Sequence, residues 1–473
     1  MARALTLELA ERVAALGAAP LPAAALSAAS LSLLDAVGVT LAASTLADGV
    51  APFAELVAEE AAAGRSTVLG TGLRTSAAAA AFANGAAAHA LDFEDAVDGL
   101  AAHPNAQVIP VVLALAEHHD ASGAEALAAI AIGCDITCRI AAVSGDRLAQ
   151  RGWYPPPLAG AIGATFAGGL IAGLPPAQLV DAVTFTLSQM SASGEIKNSP
   201  DSHMRAVRDA FACHAAVRGV ELAARGLRGF AAPLEGKAGF FAAYAGLAAD
   251  DAEALLDGFG ETFWGPKVSF KPWPSCRGTH AFVDAALRLR EHVEVERIRS
   301  IELSGAPVNT MLAEPLAAKR APRLAIDAKF SLPYTVALAL VDGDITLASF
   351  TPEQLRRPDL LAVAEKVSFT VDPNRDRPEH MTSGLTTLHL DDGQTVVLDV
   401  DRPRGSAESP LDAAALTAKF IDNSAHSARP IADPEELAAD LLQLRHRPSV
   451  RDVIDRHFAS ANASVKGSST HAR

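Results

Sequence analysis

Helical periodicity runs almost without interruption from residue 5 to about residue 260, and small apolar residues carry most of it. Leu31, Leu34, Val37 and Leu41 recur at helical spacing, as do Val207, Phe211, His214 and Val217. Glycine and proline fall where helices should stop, as at 173–176 after the apolar run from Ala159. Side chains this small let helix axes approach closely, so the expectation is a compact helical bundle. Gly160, Gly163, Gly168, Gly169 and Gly173 have neither nucleotide-loop spacing nor a closing Gly-Lys-Ser/Thr, and read as helix-packing positions. A chain of 473 residues, 50% hydrophobic and only 20% charged, is too long for one ordinary core and predicts a well-buried protein of two or more domains.

The pattern changes near Val268. Residues 298–303 alternate like a strand, 367–371 and 385–400 read as strands, and the last of these is broken by a hairpin-type turn at 391–394. Helical periods lie between them at 281–292 and 334–341, and the helical pattern resumes from 411, with 433–444 and 450–458 expected to pack back on the first bundle. The predicted fold is therefore mainly α with an α+β lid. A large all-helical domain is formed by both chain ends (1–267 and 406–460), a smaller α+β domain is inserted (268–405), and a disordered tail follows (461–473).

A net charge of −15 with no block of Lys or Arg argues against nucleic acid and anionic membrane surfaces as partners, so an anionic substrate needs a local basic pocket. No segment reads as long and apolar enough to span a membrane, and the N-terminus lacks the pattern of a signal peptide. Four scattered cysteines suit a reducing cytoplasm, and the i, i+4 pair Cys134 and Cys138 reads as packing rather than as a metal site.

Four clusters carry chemistry. Residues 91–110 read LDFEDAVDGLAAHPNAQVIP, where acids and an imidazole interrupt alanine-rich helices just before a His-Pro break. Asp92 and His103 lie on either side of a loop, and a carboxylate there can orient an imidazole for proton transfer; the plainer alternative is a helix cap and a satisfied buried histidine. The second cluster gathers Lys197, Arg205 and Arg208 at a helix start, against the macrodipole preference, which an anionic substrate would explain and a solvated helix start would explain equally. The third, FKPWPSCRGTH, holds Lys271, Cys276 and Arg277 near a helix that Thr279 can cap. Lys271 is the stronger candidate there, since an uncompensated cation beside Trp273 and Pro274 is costly unless an anion arrives, whereas a Cys276 nucleophile lacks a clear general base. The fourth, KFSLPY, offers the Tyr334 hydroxyl, a residue more often found in a core. Without a metal triad, phosphate loop or dinucleotide fingerprint, the four together suit proton abstraction α to a carboxylate, with cations holding substrate carboxylates and no cofactor.

Several stretches resemble the MmgE/PrpD family: ALDFEDA followed by HPNAQVIPVVLALAE, GCDITCRI, RGWYPPPLAGAIGA, PLEGKAGFF and FKPWPSCRGTHAFVDAAL. The resemblance implies a helical domain with an inserted α+β lid, a homodimer, no metal or organic cofactor, and chemistry on a small carboxylate. Its active-site positions fall on Asp92, His103, Lys271 and Tyr334. Three positions depart from the pattern: Tyr154 and Cys276 stand where histidines are expected, and Arg205 stands where a lysine is, a fork that grips carboxylate but does not transfer protons. The expected reaction is a hydro-lyase type elimination on a di- or tricarboxylate. Epimerisation using His103 with Tyr154, cis-aconitate-type decarboxylation, and a catalytically silent carboxylate-binding protein are the alternatives. Gly265, Pro266, Pro272 and Pro274 mark the crossing near Val268 as a hinge on which substrate closes the lid.

Overall fold

The computed structural model describes residues 4–60, 62–199, 202–375 and 382–458, so the tail expected at 461–473 lies outside the described residues. The fold is mainly helical with a small α+β part. The long helices follow from the periodic apolar positions. Ala77–Ala90 starts where Ser76 Oγ accepts the Ala79 N–H, and it is buried along almost its whole length between Asp209–Ala224 and Pro104–His119. Pro155–Ile171 lies against Pro104–His119 and Gly123–Ser144. The glycine reading holds at that last crossing: a Cβ on Gly163 would sit 2.0 Å from Thr137 Oγ1 and 2.5 Å from the Gly133 carbonyl oxygen.

One apolar core draws on both chain ends, joining Leu9, Leu33, Ile132 and Phe166 to Leu416, Phe420, Ile454 and Phe458. A second fills the α+β unit with Phe282, Ile301, Leu338 and Leu388 and reaches across to Val39, Ala86, Phe93 and Ala210 of the helical part. Its sheet runs Val367–Val371, Ile298–Gly305, Gly384–Leu390, Thr395–Val400, the first pair parallel and the others antiparallel. The helix His280–Leu289 lies on it, with the Phe282 ring where a Cβ on Gly384 or Gly305 would collide.

Three expectations need correcting. Ala23–Leu46 and Gly123–Ser144 do have the length and apolarity to cross a membrane, but 72% and 83% of their apolar windows are buried inside the protein, so that apolarity serves the core. Short strand pairs also interrupt the helical stretch: Ser66–Val68 with Leu73–Thr75, and Ala96–Val97 with Val268–Ser269. Thr279 does not cap His280–Leu289; its Oγ1 donates to the Cys276 carbonyl at 2.8 Å. The chain enters the α+β unit and leaves it at adjacent points. The Phe270 N–H donates to the Gly405 carbonyl at 3.0 Å, and Gly405, at φ +88°, has no room for a Cβ, which would lie 2.1 Å from the Phe270 oxygen.

Candidate active site

The helix Ala77–Ala90 ends one residue before Asp92, whose φ of +49° is unusual for a residue with a side chain and turns the loop back on itself, its N–H donating to the His89 carbonyl at 2.6 Å. That turn aims the Asp92 carboxylate at Lys271, two residues beyond the strand Val268–Ser269. Lys271 Nζ lies 2.7 Å from Asp92 Oδ1, 3.1 Å from the Asp92 carbonyl and 3.6 Å from Glu94 Oε2, and is fully buried. Glu94 Oε1 in turn accepts from His89 Nδ1 at 2.5 Å and sits 2.9 Å from His103 Nδ1. His103 Nδ1 also lies 2.8 Å from the Asp95 carbonyl. A carbonyl can only accept, so Nδ1 of His103 carries a hydrogen, and in the neutral ring Nε2 carries the lone pair.

Burial opposes charge on both carboxylates, but Lys271 and the imidazoles outweigh it: Asp92 is held below the usual carboxylate range and Glu94 well below it. The same pairing raises Lys271. Asp95, with one oxygen accepting from Asn105 at 2.6 Å and the other unpartnered, is pushed up to about 7 by burial. Burial and then Arg208 lower His89. Lys329, buried and donating to the Leu91 carbonyl at 2.5 Å, is lowered to about 7 by burial, and burial followed by Asp92 pushes the Cys276 thiol up to about 11. Lys419 ties the site to the returning helix Ala413–Ser424: its Nζ lies 2.7 Å from Asp35 Oδ1 and donates to the carbonyls of Phe93 at 2.7 Å and Lys271 at 3.0 Å.

A cleft of about 400 Å³ opens between the two parts of the chain, lined by His103, Tyr154 and Lys197 on the helical side and by Cys276, Arg277 and Phe330 on the other. Arg205 stacks on the Phe330 ring, 4.1 Å from its centre. Among the described residues, buried polar atoms without hydrogen-bond partners include His89 Nε2, Asp92 Oδ2, Glu94 Oε2 and Asp95 Oδ1 of the loop that carries the ion pair, and Arg208 Nη2. His89, Glu94 and His103 bring ligand-type atoms within 4.8 Å of one another, but His89 Nδ1 is engaged by Glu94 Oε1 and His103 Nδ1 by the Asp95 carbonyl, which makes a hydrogen-bonded array.

Asp92, His103 and Lys271 meet through Glu94, while Tyr154, Lys197, Cys276 and Arg277 line the cleft. Three expectations change. Lys271 is not an uncompensated cation waiting for substrate, because Asp92 and Glu94 already hold it. Arg277 is likewise occupied, bidentate to Asp98 at 2.9 Å on each oxygen and donating to the Arg404 carbonyl at 2.9 Å. Tyr334 lies away from the cleft, buried in the core of the α+β unit, with its hydroxyl donating to the Ser349 carbonyl at 3.3 Å. Cys276, which lacked a clear general base, is further unsuited to nucleophilic attack because burial pushes its thiol up. Sequence reasoning passed over His89 and Lys419, and included Glu94 and Lys329 in their clusters without giving either a role. The signal for the first was a histidine one helical turn before Asp92; Lys419 had none, lying in an unremarkable amphipathic helix.

The MmgE/PrpD N-terminal domain matches residues 7–251 of this chain and the MmgE/PrpD C-terminal domain matches residues 273–442. Among curated relatives, cis-aconitate decarboxylase of Homo sapiens is 29% identical over 364 residues, covering 73% of this chain and 72% of the relative. The Mus musculus enzyme is 28% identical over 361 residues, covering 73% and 71%. Cis-aconitate decarboxylase-like protein oryM of Aspergillus oryzae is 25% identical over 484 residues, covering 92% and 96%.

Proposed function

The chain belongs to the MmgE/PrpD family, and from that premise we propose that it is a cofactor-independent lyase acting on a small, multiply charged carboxylate by moving a proton at the carbon beside a carboxylate. His103 carries this reading. Its Nδ1–H is fixed by the Asp95 carbonyl and Glu94, its Nε2 lone pair is left for substrate, and its ring lines the cleft. As Nε2 takes the proton, the Glu94 carboxylate stabilises the imidazolium that forms. Lys197, Arg205 and Arg208 hold the substrate carboxylates and oppose the charge developing on the enolate-like intermediate. The imidazolium then returns its proton to the departing group. Asp92 and Lys271 act one step back: their ion pair shapes the loop that carries Glu94. Cys276, kept as a neutral thiol, contributes shape.

Decarboxylation is the second reading, favoured by the names of the relatives; there the carbanion left by departing carbon dioxide takes its proton from His103. Epimerisation draws support from Tyr154, which lines the same cleft as His103 and so offers a second proton donor. The proposal includes a body of 1–267 and 406–460, a lid of 268–405 that closes on substrate, and a cytoplasmic homodimer. Proton NMR in deuterated water on cis-aconitate and on 2-hydroxy tricarboxylates such as citrate separates the readings. Elimination produces a new alkene signal, decarboxylation consumes cis-aconitate with deuterium placed on the product, and epimerisation exchanges the α-hydrogen alone. A broad carboxylate panel giving neither turnover nor exchange would remove the enzymatic reading.

A further inference from the structure

We propose that the pocket behind Tyr154, with Arg208 as its floor, is a second anion subsite that takes a substrate carboxylate remote from the carbon at which His103 works. The inference deepens the function proposed above and rests on it. Arg208 is 2% exposed. Its Nη1 donates to the Arg205 carbonyl at 3.2 Å, but its Nε and Nη2 have no hydrogen-bond partner. The nearest acid, Asp209, places Oδ2 3.6 Å from Nε, too far for a hydrogen bond, and its Oδ1 is already taken by Gln107 Nε2 at 2.6 Å. A buried guanidinium with idle donors is costly, and the planar fork matches a carboxylate in two bonds.

Arg208 borders a cavity of about 360 Å³ that Ser191, Ser193 and Met204 also line, with the exposed Glu195 at its rim holding the Ser199 hydroxyl. Tyr154 borders both this cavity and the 400 Å³ cleft, so its ring is the partition between them. Lys197, on the cleft side, lies 5.6 Å from the ring centre and Arg208 5.1 Å from it. An anion therefore meets a cation in each compartment. The substrate class that fits carries acid groups far enough apart to reach past a phenol ring: a tricarboxylate, or a dicarboxylate of glutarate length or longer. The partition departs from the histidine that the family resemblance led one to expect, which makes Tyr154, with Arg208 behind it, a specificity residue of this chain.

Isothermal titration of the full chain with tricarballylate, with butyrate as the single-charge control, tests the subsite. Arg208→Gln should weaken tricarballylate roughly 10- to 100-fold while leaving butyrate within about twofold. Ser191→Asp leaves Arg208 untouched but sets a competing carboxylate in the same pocket, and should weaken tricarballylate in the same direction; it decides the matter if Arg208→Gln fails to fold. If folded variants bind tricarballylate as the wild type does, the subsite is overturned and the proposed function stands. If the wild type binds neither probe, both fall.

Discussion

Charge compensation decides what each polar side chain here is free to do. His103 has its Nδ1 tied and its side chain 18% exposed, so truncating it removes chemistry and little packing. His103→Ala should lose about 10²- to 10⁴-fold in turnover with its urea unfolding curve nearly unchanged. Lys271→Ala should behave in the opposite sense. It leaves Asp92 and Glu94 buried without their cation, and should cost on the order of 3–5 kcal/mol of stability by urea unfolding. If the lysine variant unfolded like the wild type, the pairing described here would be wrong. Asp95 gives a pH signature. Its folded pKa of about 7 stands above the ordinary 3.8, so its protonated form stabilises the fold at low pH, and that contribution is lost as pH rises from about 4 through 7. Thermal melts across that range should show wild type losing stability relative to Asp95→Asn by a few kcal/mol; parallel curves would contradict it. Asp92 and His103 were legible because they break an alanine-rich run. The occupation of Lys271 was not, because partners 179 residues apart in sequence meet only in the fold.

Helices and strands were legible to the degree that they repeat a pattern. Val367–Val371 and Val450–Phe458 stand where their sequences put them. The two-residue strands Ala96–Val97 and Val268–Ser269 are too short to show alternation, so only the fold reveals them. Small residues were read correctly as packing devices at Gly160, Gly163, Gly168 and Gly169, whereas Gly173, at φ +67°, meets nothing within 4 Å and serves only the helix stop; Gly163 shows how tight the packing is. Adding one methyl group there meets Thr137 and the Gly133 backbone at distances real atoms do not adopt, so Gly163→Ala must push Pro155–Ile171 off Gly123–Ser144. A loss of roughly 1–3 kcal/mol or more is expected, read as a fall of several degrees in melting temperature. An unchanged melting temperature would mean that the helices are not in contact there.

At the scale of the molecule, the chain is negative overall, while the cations proposed to hold substrate, Lys197 in the cleft, Arg205 stacked on Phe330 and Arg208 in the pocket behind Tyr154, all come from the helical part. Anion affinity should therefore weaken as salt rises from about 0.05 to 0.5 M while the melting temperature holds, and a salt-independent dissociation constant for tricarballylate would count against a charge-held substrate. The crossing near Val268, read from sequence as a proline-restricted hinge, is paired on one side with Ala96–Val97 and tied on the other to Gly405, so motion of the proposed lid has to turn about that paired strand. The ties of Lys419 to Asp35, Phe93 and Lys271 have one more consequence, which concerns time. A ribosome releases Asp35 and the site loop first, then the whole α+β unit, and Lys419 only afterwards. At roughly 5–20 residues per second, the nascent helical part waits on the order of ten seconds with a buried acid unneutralised and a groove uncovered. The inserted unit is thus synthesised before the scaffold that carries it can close, and the active site comes into being as one of the last acts of translation.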